Sequence, residues 1–322
     1  MVEYSCVRCG KSFSQKSHYS SHMRRKTPCE SITHKIKAIV EDVVNDKIQT
    51  TGLKRNTIDK YYTSHNVVDM CIDSMKTHLD IDKKKDLCIE PSAGNGSFMQ
   101  KIKSTFKNNI FYDIEPENSN IIKMDYLDFD YDRDIHKKYR KVHVVGNPPF
   151  GRQSTLAIKF IKTTAKYADS ISFILPKSFK KDSMKKHYPL NFHLKHEIDL
   201  PSNSFIVDNT SHDVPCVFQI WEKMDINRPK QIKVAPYTYL FVKKDENPDI
   251  SFRRVGVYAG KVDKKSEDKS PQSHYFIKFE NGLCDKIFAA LSTYNYECKE
   301  NTVGPKSISK QELIPVLNGL LK

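Results

Sequence analysis

The chain has 322 residues, and its 38% hydrophobic content with 16 Tyr and 17 Phe excludes a disordered polymer and fits two or three folded domains. A net charge of +14 points to a polyanionic partner, nucleic acid or an anionic membrane surface. No apolar run reaches the length of a membrane span and no hydrophobic leader opens the chain, so a soluble, intracellular protein with no membrane role is expected.

Three of the eight cysteines, Cys6, Cys9 and Cys29, fall within the first thirty residues. Without a secretory leader, such a cluster favours metal over disulfide. Cys6 and Cys9 form a two-residue knuckle, twelve residues lead on to His22, and Phe13 and Tyr19 sit between as a small core. This spacing resembles a classical zinc finger, departing from it in Cys29 as the fourth ligand after a longer gap. The expected site is Cys6, Cys9, His22 and Cys29 around Zn²⁺, with His18 as a competing ligand. A unit this small cannot fold on its core alone, so metal binding would supply its folding free energy. Its basic residues, Lys11, Lys16, Arg24, Arg25 and Lys26, suit phosphate contact; docking to a protein is the other reading. Residues 1–30 are this module. Residues 31–55 read as a connecting helix, with Ile32, Ile36, Ile39 and Val43 on one face after Ser31 as cap.

Residues 56–225 read as an α/β domain. A segment containing Tyr61, Tyr62 and Thr63 precedes a helical pattern of Val67, Val68, Met70, Cys71 and Met75. Asp86 to Glu90 is a short buried strand, followed by the glycine-containing turn Pro91 to Phe98 and a helix, the layout of a nucleotide-binding βα unit. The next strand, Ile110 to Asp113, ends in an acid 113 − 94 = 19 residues after Gly94. That is close to the roughly 20 expected for an acid that takes ribose hydroxyls, with Glu115 as its rival. A third strand, Ile121 to Lys123, delivers Asp125, Tyr126 and Leu127. The fourth, Val142 to Gly146, runs into Asn147-Pro148-Pro149-Phe150. Two prolines can continue neither a ladder nor a helix, so the chain leaves the sheet stiff and extended at its carboxyl edge, where ligands bind in open α/β sheets.

In this order the series resembles the S-adenosylmethionine-dependent amino-methyltransferases of DNA, in the adenine-N6 class whose target-recognition region comes last. The resemblance covers residues 56–225 and implies an α/β, Rossmann-like methyltransferase fold with a mostly parallel sheet. It implies that Tyr62 and Thr63 contact the methionine end of the cofactor, and that Glu90, Pro91, Ala93, Gly94 and Gly96 form the cofactor loop, with Glu90 in place of the commoner Asp. It further implies that Asp113 takes the ribose, that Asp125 accepts from the cofactor's adenine amine, and that Tyr126 or Leu127 lies beside that ring. Asn147, Pro148, Pro149 and Phe150 match the catalytic tetrapeptide. The Asn147 side-chain oxygen and the Pro148 carbonyl would each accept one N–H of the target amine, and Phe150 would stack on the base. An amine inside a duplex requires the base to be flipped out at a cost of a few kcal/mol.

Downstream, Ile171 to Lys177, Lys195 to Leu200 and Cys216 to Trp221 read as the remaining strands, with a polar loop from Pro201 to Pro215. In the family that region carries an aromatic on the other face of the flipped base. Phe205 is the candidate, with core packing as its alternative. Residues 226–322 change to short β-like runs (Ile232 to Val234, Tyr237 to Val242, Phe252 to Val257, Tyr275 to Phe279), then a helix and an amphipathic C-terminal segment. This suits a small α+β recognition domain in which Arg253 and Arg254 are candidates for nucleic-acid contact; Lys261 to Lys269 reads as a mobile loop. The implied function is a site-specific methyltransferase acting on adenine N6 in double-stranded DNA. RNA adenosine-N6 methyltransferases, including cap-proximal types, share the tetrapeptide and stay open as an alternative. So does a zinc-dependent nucleic-acid-binding protein with an inactive methyltransferase fold. No nuclease-like cluster of acids and lysine stands out, so no fused restriction activity is expected.

Overall fold

The structure, a computed structural model, describes residues 3–7, 9–24, 61–130, 135–207 and 210–322. The connecting helix expected over 31–55, and Cys29, lie outside the described residues. The chain divides into two compact units, Met1–Asp59 and Lys60–Lys322.

In the first unit β1 (Tyr4–Ser5) pairs antiparallel with β2 (Ser12–Phe13), and α1 (Lys16–Met23) follows. Gly10, at φ 72°, closes the knuckle by donating its N–H to the Cys6 carbonyl at 2.8 Å. Phe13 meets Tyr19 edge-on at 6.2 Å between ring centres and packs on His22 at 5.0 Å. These are the core contacts that the spacing predicts.

The second unit begins with β3 (Tyr62–Thr63), α2 (His65–His78), β4 (Leu87–Glu90), α3 (Met99–Thr105), β5 (Asn108–Asp113), β6 (Ile122–Lys123) and α4 (Ile135–Lys138). It continues through β7 (Val142–Gly146), α5 (Thr155–Thr164), β8 (Ser170–Pro176), α6 (Asp182–Lys185), β9 (Phe192–Asp199), β10 (Phe205–Val207), β11 (Thr210–His212) and β12 (Cys216–Lys223). Seven of these strands form one sheet in the order β6-β5-β4-β7-β8-β12-β9. The first five in that order are parallel, and β12 runs antiparallel to both its neighbours. This is the expected Rossmann-like methyltransferase sheet, α/β and mostly parallel. Residues Leu87–Glu90, Val142–Gly146 and Ser170–Pro176 are buried throughout, as strands covered on both faces must be. On one face α2 buries Val67, Val68, Cys71, Ile72 and Met75 as a single stripe; on the other, α5 buries Ala157, Phe160 and Ile161. No helix among the described residues is long and apolar enough to cross a membrane.

A buried ionic cluster fixes the amino edge of the sheet. Asp86, just before β4, accepts from Arg140 Nε at 2.8 Å and Nη2 at 2.7 Å, and lies 3.2 Å from His143 Nε2; the other ring nitrogen of His143 is 2.7 Å from Ser170 Oγ. Burial alone would raise the Asp86 carboxyl, but the bonds from Arg140 and His143 outweigh it and hold the group well below the usual carboxylate range.

Three sequence expectations are corrected here. The polar stretch Pro201 to Pro215 contains β10 and β11, which join β3 in a separate sheet ordered β11-β10-β3. Ile232 to Val234 enters no sheet and Ile232 is exposed, because no described strand pairs with it. Lys261 to Lys269 is not simply a loop. It holds β15 (Val262–Asp263), which with β13 (Tyr239–Val242), β14 (Ile250–Arg253) and β16 (His274–Phe279) forms a sheet ordered β13-β16-β14-β15. Together with α7 (Asp285–Thr293) and α8 (Lys310–Leu320), this sheet encloses its own core around Phe252, Ile277, Leu291 and Leu313. Lys181, just past β8, ties this core to the large sheet, donating to the Ser307 carbonyl at 2.8 Å and pairing with Glu312 at 3.2 Å.

Candidate active site

The carboxyl ends of β4, β5 and β7 converge where the strand order reverses, the position at which open α/β sheets bind ligands. The loop after β4 folds back onto β5: Gly94 donates its N–H to Asp113 Oδ2 at 2.7 Å and Ala93 donates to the Tyr112 carbonyl at 2.9 Å. Asp113 Oδ1 accepts from Glu115 N at 2.8 Å, so both carboxylate oxygens are aimed by backbone while keeping acceptor capacity. Gly94, at φ +53°, lies under the Tyr62 ring, where an added Cβ would come within 3.0 Å of Tyr62 Cε1. The Tyr62 hydroxyl bonds to Glu117, whose own N–H reaches the Gly94 carbonyl at 3.1 Å. Tyr62, the loop and the segment after β5 are thus tied together.

Two buried polar atoms on these segments have no hydrogen-bond partner among the described residues, Thr63 Oγ1 and Glu90 Oε2. Glu90 is only 2% exposed. Burial, and secondarily the neighbouring Asp113 charge, push its carboxyl well above the ordinary range. An unsatisfied carboxyl at a strand end costs stability unless a ligand supplies a donor or a positive charge. These two groups, with Asp113 and the Gly94 turn, fit a ligand that carries a cationic end and a ribose.

Asn147 stands at the adjoining strand end; an added Cβ on its neighbour Gly146 would lie 3.4 Å from Glu90 Cγ. The Asn147 amide donates through Nδ2 to the Tyr61 carbonyl at 2.9 Å. A carbonyl can only accept, so the contact fixes the amide's orientation and leaves Oδ1 as its acceptor. Ser92 Oγ donates to the Asn147 carbonyl at 3.2 Å, linking the tetrapeptide to the cofactor loop. Pro148 is buried, while Pro149 and Phe150 are half-buried, with the Phe150 ring against both hydrophobic layers. Gly151, at φ +66°, turns the chain into the helix beyond; a side chain there would strike Leu156 at 2.7 Å.

The structure assigns other expected residues differently. Asp125 is exposed, and its Oδ1 caps the turn Tyr126–Asp128 by accepting from Leu127 N at 2.9 Å. Tyr126 is buried in the core, with its hydroxyl bonded to Thr164 and Tyr167 and its ring stacked on Phe160. Of the pair offered for the cofactor's adenine, Leu127 is therefore the one left half-buried at the edge. Phe205 is 1% exposed and packs edge-on against Tyr61, so it is a core residue and not an open stacking face. Arg253 bonds to the Val255 carbonyl at 2.8 Å, and Arg254 bonds to the Gln272 carbonyl and covers the Tyr275 ring at 5.3 Å. Both guanidinium groups thus serve first to hold their own loops. Tyr61 and Glu117 were not singled out from the sequence. The first acts through its backbone, and the second through a contact 55 residues away, which no local pattern announces.

In the first unit, ligand atoms of Cys6, Cys9 and His22 all lie within 4.8 Å of one another. The Cys9 Sγ to His22 Nε2 separation is 3.4 Å. Tetrahedral Zn²⁺, with Zn–S of about 2.3 Å and Zn–N of about 2.1 Å, places such atoms about 3.6 Å apart. His18 is exposed, so His22 is the histidine that stands with the cysteines.

No family model matches the chain, and no curated protein matches its sequence. Solved structures similar to it include a provisionally named RNA methyltransferase from Pyrococcus horikoshii, at 16% identity over 52% of this chain and 88% of that one, with a TM-score of 0.41. Another is the N-methyltransferase NodS from Bradyrhizobium japonicum, at 12% identity over 50% and 94%, TM-score 0.34. An rRNA methylase from Streptococcus thermophilus matches at 15% identity over 48% and 95%, TM-score 0.32. The likeness is one of fold and spans about half of this chain.

Proposed function

We propose that the chain is an S-adenosylmethionine-dependent methyltransferase acting on adenine N6 in nucleic acid, with a flipped-out base in double-stranded DNA as its substrate. The observation that carries this reading is the Asn147 amide, fixed by the Tyr61 carbonyl on the strand end next to Glu90, whose buried Oε2 has no partner among the described residues. S-adenosylmethionine, when bound, supplies a methyl group on an electrophilic sulfonium. Glu90 would face its cationic end, Asp113 its ribose hydroxyls, and the Gly94 turn would let Tyr62 close over it. Asn147 Oδ1 and the Pro148 carbonyl would each accept a hydrogen bond from one N–H of the exocyclic amine, localising a lone pair otherwise delocalised into the ring. Phe150 would hold the base by stacking, worth ~1–3 kcal/mol. None of the four tetrapeptide side chains is a base at neutral pH, so the surplus proton would leave to water. Positioning and electrostatics then account for the catalysis.

We assign Zn²⁺ to Cys6, Cys9 and His22, with Cys29 as the fourth ligand. The basic finger and residues 226–322 would supply contacts to the polymer. The test is transfer of label from S-adenosylmethionine to duplex DNA, single-stranded DNA and RNA, followed by digestion to nucleosides. N6-methyladenine from DNA supports the proposal. Label confined to RNA replaces DNA with the RNA reading, and no label in any polymer refutes both.

A further inference from the structure

The hairpin loop between β14 and β15 ends in two solvent-facing apolar side chains. Val257 is 81% exposed and Tyr258 is 70% exposed, and neither serves the core beneath. The loop that carries them is nonetheless firmly built. Its base is closed by Arg253 N to the Lys261 carbonyl and Gly260 N to the Arg253 carbonyl, each 2.8 Å. A second set of bonds anchors its flank, Gly256 N to the Lys306 carbonyl and Ile308 N to the Arg254 carbonyl, each 2.9 Å, with a bridge between Val255 and Ser307. Gly256 and Gly260 take φ of +95° and +99°, and a side chain at Gly260 would strike Tyr296 at 2.9 Å. The tight path of the loop therefore requires glycine at that position.

A loop fixed in this way loses little conformational freedom when a partner arrives, which is the physical use of preorganisation. Its surroundings indicate the partner's chemistry. The loop itself is flanked by Arg253, Arg254 and Lys261, with no acid from residue 253 to 262, whereas Lys264 beyond β15 is paired with Asp285 at 2.8 Å. An aromatic face among cations suits a stacked base with phosphates on either side. The loop also lies on the relevant side of the large sheet. It is bridged to Ser307, whose carbonyl takes the Lys181 ammonium at 2.8 Å, and Lys181 follows the carboxyl end of β8. β8 pairs in parallel with β7, the strand that delivers Asn147.

We infer that Val257 and Tyr258 form a nucleic-acid contact point, with the Tyr258 ring stacking on a base of the bound polymer and Val257 packing beside it. The inference deepens the reading of the chain as a nucleic-acid methyltransferase and rests on it for the polymer.

The test uses the full-length protein. Trp221 is buried and stacked on Tyr188, so a Tyr258→Trp variant adds a solvent-exposed fluorophore of distinct emission. Duplex DNA, single-stranded DNA and single-stranded RNA of mixed sequence are each titrated, and quenching of the new emission is expected with the polymer the enzyme uses. Tyr258→Ala should weaken binding of that polymer about 5- to 100-fold while leaving circular dichroism and S-adenosylmethionine binding unchanged. Wild-type protein that methylates nucleic acid, while Tyr258→Trp is unquenched and Tyr258→Ala binds normally, overturns the contact point and leaves the proposed function standing. Quenching without methyl transfer supports the contact point and counts against the proposed function. Failure of the wild type to bind any of the three polymers overturns both.

Discussion

The Asn147 side chain donates to the backbone carbonyl of Tyr61 at 2.9 Å across 86 residues of chain. Tyr61 immediately precedes β3, so the pairing of β3 with β10 sets the position of the carbonyl that orients the amide. Asn147→Ala removes both this tether and the proposed acceptor for the target amine. Turnover should fall by roughly two to three orders of magnitude, the usual scale for deleting one preorganised polar group at a reacting centre. Binding of S-adenosylmethionine, measured by calorimetry, should stay near that of the wild type. Wild-type turnover in Asn147→Ala would remove the residue from the mechanism.

Glu90 leads to a pH prediction. Its carboxyl ordinarily titrates near 4.5 and is pushed well above that in the folded chain, first by burial and then by Asp113. Between the unfolded and folded values the native protein holds a proton that the unfolded chain has lost. This contribution to stability is therefore fully present below about pH 4.5 and is lost as pH rises through the folded value. Glu90→Gln, neutral at every pH, should unfold at higher temperature than the wild type at pH 8. The same change should weaken S-adenosylmethionine binding about 10- to 100-fold, the scale of one charge-assisted hydrogen bond. In the wild type, affinity should rise with pH until Glu90 is ionised, with a proton released on binding. Calorimetry in buffers of different ionisation enthalpy reads that proton. An unchanged affinity and proton count in Glu90→Gln would show that Glu90 does not face the ligand's cation.

The sequence made the centre of the large sheet legible because each of its strands is a short apolar run ending in a polar residue, and burial on both faces leaves no other way to write it. The Gly94 to Asp113 spacing likewise became a real contact of 2.7 Å. What could not be read was pairing at long range. Phe205 lies in a polar stretch where the sequence leaves stacking on a base and core packing open; it pairs with Thr63 and is buried in the core, and the two-residue strand it pairs with has no pattern of its own. Tyr126 follows a proposed ligand residue directly, but the turn capped by Asp125 points it inward to Tyr167 and Thr164. Ile232 to Val234 shows the opposite case, where apolar alternation found no partner strand. For Phe205 and Tyr126 the deciding neighbours lie 142 and 38 residues away, 205 − 63 and 164 − 126.

At the amino edge, Arg140 compensates the fully buried Asp86 through two hydrogen bonds. Arg140→Ala would leave that carboxylate with only His143 and the Asp82 backbone N–H, which donates to it at 2.6 Å. The expected loss is about 3 kcal/mol, the low end for a broken buried pair, because the Arg140 side chain is itself 34% exposed and partly screened. Urea denaturation reads the loss as a lower midpoint. Replacing Asp86 as well, in Arg140→Ala with Asp86→Asn, should recover part of it, since no uncompensated charge then remains. A double variant no more stable than Arg140→Ala would show that the cost lies in lost packing and not in the stranded carboxylate.

The proposed Zn²⁺ site allows a check separate from methyl transfer. Cys6, Cys9 and His22 converge at the junction of the knuckle and α1, in a unit whose described core is little more than Phe13, Tyr19 and Tyr4. Three side chains cannot offset the entropy of ordering such a segment, so its fold should depend on bound Zn²⁺, which contributes on the order of 10–16 kcal/mol in comparable peptides. The purified full-length chain should carry one zinc by elemental analysis. A strong chelator should remove it and expose residues 4–23 to trypsin, while the large sheet keeps its protection. Cys9→Ala should reproduce the exposure without chelator and should lower zinc content. Because Cys9 is only half-buried, a packing defect alone would not release the metal, which makes zinc content the deciding measurement. Resistance of residues 4–23 to trypsin after complete metal removal would mean that the cluster is not a structural metal site.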